Sequence, residues 1–314
     1  MSDVTTLHLP DPGAALTTPR AQVPGTVGLV VHPSRTVDEP LRLVREWAQR
    51  HGVELLQAPA NYDQRHVAEP GDPHQADLII SIGGDGTTLA ALRTGAVVSR
   101  PVMGIACGSL GALATVSVGE VARSLDRFCQ GEWQPRRFPA LWVARSQEER
   151  RDLFALNDVS VVRSSGGQVR IAVSADGELY ARIAGDGAVV STAIGSSGYA
   201  ISAGGPLLAN GLEGFVFTPL PKHGGYSPPL VVGPSKEIEL EVESGFGGGR
   251  LEIDGQIAGE RVQWVKIGLR PDVATMVSFP DQESLLSGLR RRGIIVDSPR
   301  IVADRGRDGD ACPT

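Results

Sequence analysis

The segment Ser81-Ile-Gly-Gly-Asp-Gly-Thr-Thr88 constrains the fold of this chain more than any other. It joins an apolar run, Ala76–Ile82, to a stretch of helical spacing, Thr87–Val98. A strand that turns through three glycines into a helix brings bare backbone and free helix N–H groups to one place. Such a place suits phosphate. The segment has neither the Gly-Lys-Ser/Thr of a Walker A loop nor a GxGxxG fingerprint. Asp85 is out of character there, because a carboxylate repels phosphate. It makes sense facing a hydroxyl that must lose a proton, or binding Mg²⁺. The plainer alternative is a strand–helix turn with Asp85 as its N-cap.

The segments around this turn alternate between strand and helix patterns. Thr26–Val31, Glu54–Gln57, Ala76–Ile82 and Pro101–Ala106 read as buried strands, and residues 39–51, Thr87–Val98 and Val118–Phe128 as helices. That order predicts a parallel sheet with helices on its faces over residues 25–137. From residue 138 to 280 the pattern changes to short strand-like runs with glycine turns. These are Ala140–Arg145, Leu153–Arg163, Val169–Ala175, Glu178–Ile183, Gly187–Thr192, Gly214–Thr218, Leu230–Val232, Glu237–Val242, Arg250–Ile253 and Arg261–Leu269. Asp176-Gly177 is a hairpin signal. One helix is expected near Ser197–Ala203. The tail Asp281–Leu289 reads as a helix, and a segment 281–296 is expected to return to the first domain. Residues 1–24 are expected to form a flexible arm and residues 303–314 a disordered tail.

Charge and cysteine usage narrow the classes. The 314 residues carry a net charge of −6, which argues against a broad basic surface for a nucleic acid polymer. Cys107, Cys129 and Cys312 have no metal-ligand spacing and form no disulfide framework, so a reduced, cytoplasmic protein is expected. The histidines His32, His51, His66 and His74 share no ligand spacing, and no metal site is assigned. No apolar run reaches membrane length, and the start lacks a signal-peptide pattern, so no membrane partner is expected.

Two further segments carry polar groups suited to a nucleotide, and a third is a turn. Asn157-Asp158 places an amide beside a carboxylate after a buried run; the amide can read a base edge and the acid can hold ribose hydroxyls. Asp186-Gly187 leads into Ser191-Thr-Ala-Ile-Gly-Ser-Ser-Gly-Tyr199, a second glycine- and hydroxyl-rich turn. Asp254-Gly255 reads as a hairpin turn. Each of these alone is compatible with an ordinary turn.

In this order the segments resemble the NAD kinase family. Gly83–Thr87 stands where the family has Gly-Gly-Asp-Gly-Thr, and Asn157-Asp158 where it has Asn-Glu. Asp186-Gly187 with Ser191–Tyr199 matches its Asp-Gly…Ser-Thr-Pro-Thr-Gly-Ser-Thr-Ala-Tyr, and Ser202–Pro206 keeps its Ser-Ala-Gly-Gly-Pro. The Thr-Pro-Leu step at 218–220 and Asp254-Gly255 also fit, and the likeness spans residues 26–290. The resemblance implies a Rossmann-like α/β domain followed by a β-rich, antiparallel, sandwich-like domain, with a C-terminal helix packing back on the first. It implies phosphoryl transfer from ATP, with Mg²⁺, to a ribose 2′-hydroxyl, that of NAD. Asp85 would be the general base or would orient the hydroxyl. Gly83, Gly84, Gly86 and Thr87 would lie along the phosphates. Asn157, Asp158, Asp186, Ser197 and Tyr199 would form the acceptor site. A homodimer or homotetramer joined through the β-rich domain is implied as well.

The departures from the family pattern gather on the acceptor side. Asp158 is one methylene shorter than Glu, and Ala112 stands where an aromatic usually follows Leu-Gly. Losing that ring removes a stacking face of about 1 kcal/mol. Ala193-Ile194 replaces Pro-Thr, and Gly198 replaces Ala. A kinase for another nucleotide or nucleoside therefore stands as an alternative, and a non-catalytic nucleotide-binding regulator as a third reading. The related diacylglycerol kinases share the glycine motif but not the Ser202–Pro206 step. His223 reads as a solvated loop residue and Arg290-Arg-Arg292 as a solvated helix end; Trp47, Trp133 and Trp142 read as core.

Overall fold

The first sheet grows from apolar β-branched runs that need cover on both faces. The computed structural model describes residues 18–146, 153–164, 166–209, 211–243 and 248–301. The arm expected over 1–24 lies largely outside these residues; the tail expected over 303–314 and Cys312 lie wholly outside them. β1 (Thr26–Val31) leads into α1 (Asp38–His51), and β2 (Glu54–Gln57) follows. α1 has Asp38 and Glu39 in its first turn, Arg50 and His51 in its last, and Gly52 in the left-handed region just beyond. Those charges oppose the helix dipole, and the glycine ends the helix without strain. β3 (Leu78–Gly83), α2 (Asp85–Val98), β4 (Val102–Ala106) and α3 (Val121–Cys129) complete the parallel part. β1 pairs with β2 and β3, and β3 with β4, all parallel.

The antiparallel part begins with β5 (Gln134–Ala144), β6 (Leu153–Ala155) and β7 (Asp158–Arg163). Then come β8 (Val169–Ala175), β9 (Glu178–Gly185), β10 (Gly187–Thr192) and the single turn α4 (Tyr199–Ser202). β11 (Phe215–Pro219), β12 (Leu230–Val232), β13 (Glu237–Glu243), β14 (Gly249–Ile253), β15 (Gln256–Val262), β16 (Trp264–Ser278) and α5 (Leu285–Arg291) follow. One sheet runs β2-β1-β3-β4-β16-β13-β8-β9, with β5 on β16 and β6 on β5. The other runs β12-β11-β10-β7-β14-β15. Their inner faces interdigitate around Leu141, Val161, Val173, Phe215, Phe217, Leu240 and Ile267, as in a sandwich.

β16 joins the two halves. Its first residues pair with β13, residues 266–270 and 274–278 pair with β5, and Met276 lies parallel to Val102 of β4. An irregularity between Arg270 and Ala274 lets one strand serve both parts of the sheet. The expected run Arg261–Leu269 straddles the end of β15 and the first part of β16, and residues 270–278 carry no strand expectation. On the helical face, Trp47 is fully buried and its indole donates to Asp126 Oδ1 at 2.9 Å, linking α1 to α3. Trp133 and Trp142 are buried as expected, and Cys107 and Cys129 are half-buried free thiols whose pKa burial pushes up.

Several expected helices differ at their ends for local reasons. α2 starts at Asp85 rather than Thr87, with extended Gly84 as its N-cap. The stretch 118–128 splits into a 3₁₀ turn, Val118–Glu120, held by a Ser117–Glu120 capping box, and then α3. The helix expected near 197–203 is a 3₁₀ turn, Gly195–Ser197, plus α4. The tail helix starts at Leu285, because the Ser284 hydroxyl accepts the Ser287 N–H and caps it there.

Candidate functional site

The glycine turn between β3 and α2 forms one wall of a cavity of about 340 Å³. A Cβ at Gly83 would lie 2.3 Å from Thr87 Oγ1, so only glycine lets the turn fold back this tightly. A Cβ at Gly86 would meet nothing within 4 Å. The Thr87 and Tyr62 hydroxyls are buried on the cavity wall and lie close to one another: burial raises the Tyr62 pKa and its interaction with Thr87 lowers it. Hydroxyls beside a helix N-terminus suit a ligand rich in acceptor oxygens.

Arg35 closes the other side. Its Nη1 would stand 3.2 Å from a Cβ at Gly84, and it donates to the Cys107 carbonyl at 3.3 Å. His32 positions this arginine: its Nδ1 accepts the N–H groups of Ser34 at 3.2 Å and Arg35 at 3.0 Å. Burial, and then the Arg35 charge, push the imidazole pKa down, which keeps that nitrogen an acceptor. A guanidinium beside bare backbone gives the cavity a fixed positive charge for phosphate.

Asp85 lines the same cavity, but it is not an N-cap. Its Oδ1 accepts the N–H groups of Leu113 at 2.9 Å and Ala114 at 3.0 Å. Its Oδ2 accepts the Ala112 N–H at 2.9 Å and Arg292 Nη1 at 3.2 Å. The carboxylate therefore ties α2 to the loop that carries Ala112 and to the end of α5. Arg290-Arg-Arg292 is correspondingly not a merely solvated helix end. Arg290 pairs with Asp297, Arg291 with Glu283, and Arg292 with Asp85.

The third element is the β14–β15 turn. Asp254 is buried, its side chain 1% exposed, and its Oδ2 accepts Arg93 Nη1 of α2 at 2.5 Å. The same carboxylate accepts the N–H groups of Leu156 at 3.0 Å, Asn157 at 2.7 Å and Asp158 at 3.2 Å. One ion pair thus joins the helix behind the glycine turn to the Asn157-Asp158 turn. Arg93 also donates to the Phe154 carbonyl at 2.8 Å and stacks 4.7 Å above the Phe154 ring. A pair this buried is costly unless its hydrogen bonds are nearly complete, and here most of them are made.

Beyond Asp254 lies a group of acids. Burial first, then Asp254 and Glu252, push the Asp158 carboxyl up to about 7. The Tyr199 phenol is raised by burial and then by Glu252, Asp158 and Asp186, which places these groups around one another. Glu252 is paired with Arg250 at 2.6 Å, and Asp186 with Arg163 at 2.7 Å. Asn157 Oδ1 and Ser191 Oγ are buried without partners. Ser197 Oγ donates to the Ile194 carbonyl at 2.9 Å, and Thr192 Oγ1 donates to the Leu156 carbonyl at 2.7 Å.

The sequence-predicted residues therefore fall into two groups. Gly84, Asp85, Gly86 and Thr87 line the cavity, with Gly83 directly behind. Asn157, Asp158, Asp186 and Tyr199 gather on the far side of Asp254, and Ser197 lies on the turn leading into α4. Sequence reasoning missed Arg35, Arg93 and Arg292 and took Asp254 for a turn residue alone. Arg93 did carry a signal: it is the one basic residue in the buried helix Asp85–Val98, and such a residue needs a carboxylate.

Comparison with known proteins agrees with this geometry. Residues 36–133 match the ATP-NAD kinase N-terminal domain and residues 156–267 the ATP-NAD kinase C-terminal domain. A NAD kinase of Heliobacterium modesticaldum is 33% identical over 245 residues, covering 74% of this chain and 84% of its own length. The crystal structure of an NAD kinase from Archaeoglobus fulgidus in complex with ATP aligns with a TM-score of 0.64 and 26% identity, over 86% of this chain and 96% of that one. The yeast NADH kinase complexed with NADH shares the fold, with a TM-score of 0.71 at 18% identity, over 87% of this chain and 88% of that one.

Proposed function

Because the chain belongs to the ATP-NAD kinase family, we propose that it transfers the γ-phosphoryl group of ATP to the 2′-hydroxyl of the adenosine ribose of NAD. It is a phosphotransferase with a hydroxyl acceptor. Relatives named NAD kinase do not favour another nucleotide acceptor or a non-catalytic regulator, despite the departures at Asp158 and Ala112. The observation that carries the reading is the cavity in which Asp85, the Gly84–Thr87 turn and Arg35 meet.

In this reading the phosphates of ATP lie along Gly83, Gly84, Gly86 and Thr87, with Arg35 and the α2 N-terminus opposing their charge. Residues 25–137, with 281–296, serve the phosphates, and residues 138–280 supply the acceptor side. Asn157 meets the base, and Asp158, Asp186, Ser197 and Tyr199 surround the rest of the acceptor. The 2′-oxygen attacks the γ-phosphorus, the bond to the ADP oxygen breaks, and the hydroxyl proton passes to Asp85. The chain's main contribution is alignment, with the reacting atoms held about 3 Å apart.

Among the described residues no cluster of three or more His, Cys, Asp or Glu could hold a metal ion. The Asp85 and Asp254 carboxylates are engaged by N–H and guanidinium donors, so neither is free to anchor a resident metal. This donor set fits Mg²⁺ carried on the ATP phosphates, where it supplies charge neutralisation. Among the described residues no helix is long and apolar enough to cross a membrane. Cytoplasmic residence and a homodimer or homotetramer belong to the same proposal. The edge strands β12 and β15, with Val231 and Ile257 half-exposed, leave room for such an assembly.

An acceptor screen with labelled ATP and Mg²⁺ tests the reading. NAD should be phosphorylated faster than NADH, other nucleotides or nucleosides. A faster acceptor lacking the nicotinamide half would refute NAD as the substrate, and no transfer to any acceptor would refute the kinase.

A further inference from the structure

An ionised carboxylate offers about four lone-pair sites, and all four sites of Asp85 are filled. Three of the donors belong to the backbone and are fixed. The loop is closed by the Gly111 N–H donating to the Ala114 carbonyl at 2.9 Å, and a Cβ at Gly111 would fall 1.9 Å from Asp85 Oδ1. The fourth donor is Arg292, the longest of the four contacts at 3.2 Å and the only side chain among them. A hydroxyl that gives its proton to Asp85 must first donate a hydrogen bond to one of these sites.

We infer that Arg292 is a positioning residue that holds the acceptor's place on Asp85 Oδ2 and is displaced when the acceptor hydroxyl arrives. This inference rests on the reading of Asp85 as the group that meets that hydroxyl. The surroundings suit an exchange. Arg291 anchors the end of α5 independently, donating to the Leu110 carbonyl at 2.7 Å and pairing with Glu283 at 2.9 Å. Arg292 Nε donates to the Gly288 carbonyl at 3.2 Å, so the side chain keeps one partner after leaving Asp85. Arg292 is 24% exposed and Asp85 34%, so water can replace the lost contact.

The test is calorimetric titration of the full chain with NAD and with NAD lacking the 2′-hydroxyl of its adenosine ribose. Arg292→Gln replaces the guanidinium with a shorter, uncharged amide and so removes the ion pair to Asp85; NAD should bind about three- to five-fold tighter, the scale of a partly exposed ion pair. The 2′-deoxy ligand has no hydroxyl to place on Asp85, so its affinity should stay at the wild-type value. Arg291→Gln, which leaves the Asp85 contact in place, should change neither. A purely structural role would move both ligands together. NAD binding unchanged or weakened in Arg292→Gln, or both ligands tightened equally, overturns the inference. If Arg292→Gln does not fold, the arginine Nε–H spectrum of the wild-type protein carries the test. The Arg292 signal should shift on adding NAD and not on adding the deoxy ligand, and equal shifts overturn the inference. Wild-type protein that does not bind NAD refutes the NAD reading instead, and the same paired comparison then uses the acceptor found in the screen.

Discussion

Replacing Asp158 with Asn should make the fold more stable above neutral pH and leave it nearly unchanged in acid. Asp158 is mostly buried, with Asp254 and Glu252 close by, and its carboxyl titrates at about 7 instead of 3.8. The folded protein therefore binds a proton that the unfolded chain has already lost between about pH 4 and pH 7. Stability must fall as pH rises through that window, by about 1.4 kcal/mol per pH unit. It is flat below the window and flat again above it. Taken at face value the loss reaches about 4 kcal/mol at pH 8, and relaxation of the site reduces it to roughly 2 kcal/mol. Either figure is a large fraction of the 5–15 kcal/mol that holds a typical domain together. An amide of the same shape stays neutral and escapes the penalty. Urea unfolding of both proteins at pH 5, 6, 7 and 8 reads the effect as a difference, so other titrating groups cancel. The two stability curves should diverge between pH 5 and 7 and run parallel above. Curves that stay parallel throughout would show that Asp158 is not forced to ionise in this environment, and the reasoning would fail.

Asp85→Asn should cut kcat by about 10²-fold or more, the scale of general base catalysis, as read by labelled phosphoryl transfer; near-wild-type turnover would remove Asp85 from that role. The same variant should also lose about 1–3 kcal/mol in urea unfolding, because its amide N–H₂ would face a donor where the carboxylate accepted one. Arg93→Met leaves the buried Asp254 charge without its partner and should cost about 3–5 kcal/mol, whereas a loss under 1 kcal/mol would contradict the pairing. Chelating divalent ions should stop turnover without shifting the Tm of the nucleotide-free protein, and a large drop in Tm would reveal a structural metal.

Much of the fold was legible because it is written locally. The apolar runs of β1, β3 and β4, alternating with helical patterns, read as buried parallel strands and are so, and the glycine turn after β3 sits where its composition puts it. Asp176-Gly177 and Asp254-Gly255 both adopt the positive φ pair that their sequence predicts for a tight hairpin. The failures involve long-range pairing. β16 carries Pro271 in its middle, and its second half carries no strand expectation, yet β5 pairs along it on both sides of the irregularity. Arg93 meets Asp254 across 161 positions and Arg292 meets Asp85 across 207, separations that spacing cannot reveal. The turn reading of Asp254 was right for its backbone and silent about its carboxylate. Residue type could have raised the question, since an arginine in a buried helix implies a distant acid.

That distant acid explains how two separate turns can act as one site. α2 carries Asp85 at its first residue and Arg93 two turns later, on one rigid element. Arg93 holds Asp254, and Asp254 holds the N–H groups of Leu156, Asn157 and Asp158. The groups proposed to meet the phosphates and those proposed to meet the acceptor are thus linked by one buried ion pair rather than by a flexible connection. Phosphoryl transfer depends on alignment to within about an ångström, so a pair that registers the two turns bears on rate as well as on stability. The family's Asp-Gly at 254–255 then has a physical reason beyond the hairpin. The left-handed turn presents the Asp254 carboxylate to three backbone N–H groups and a guanidinium at once, and no residue without a short carboxylate could accept from all four.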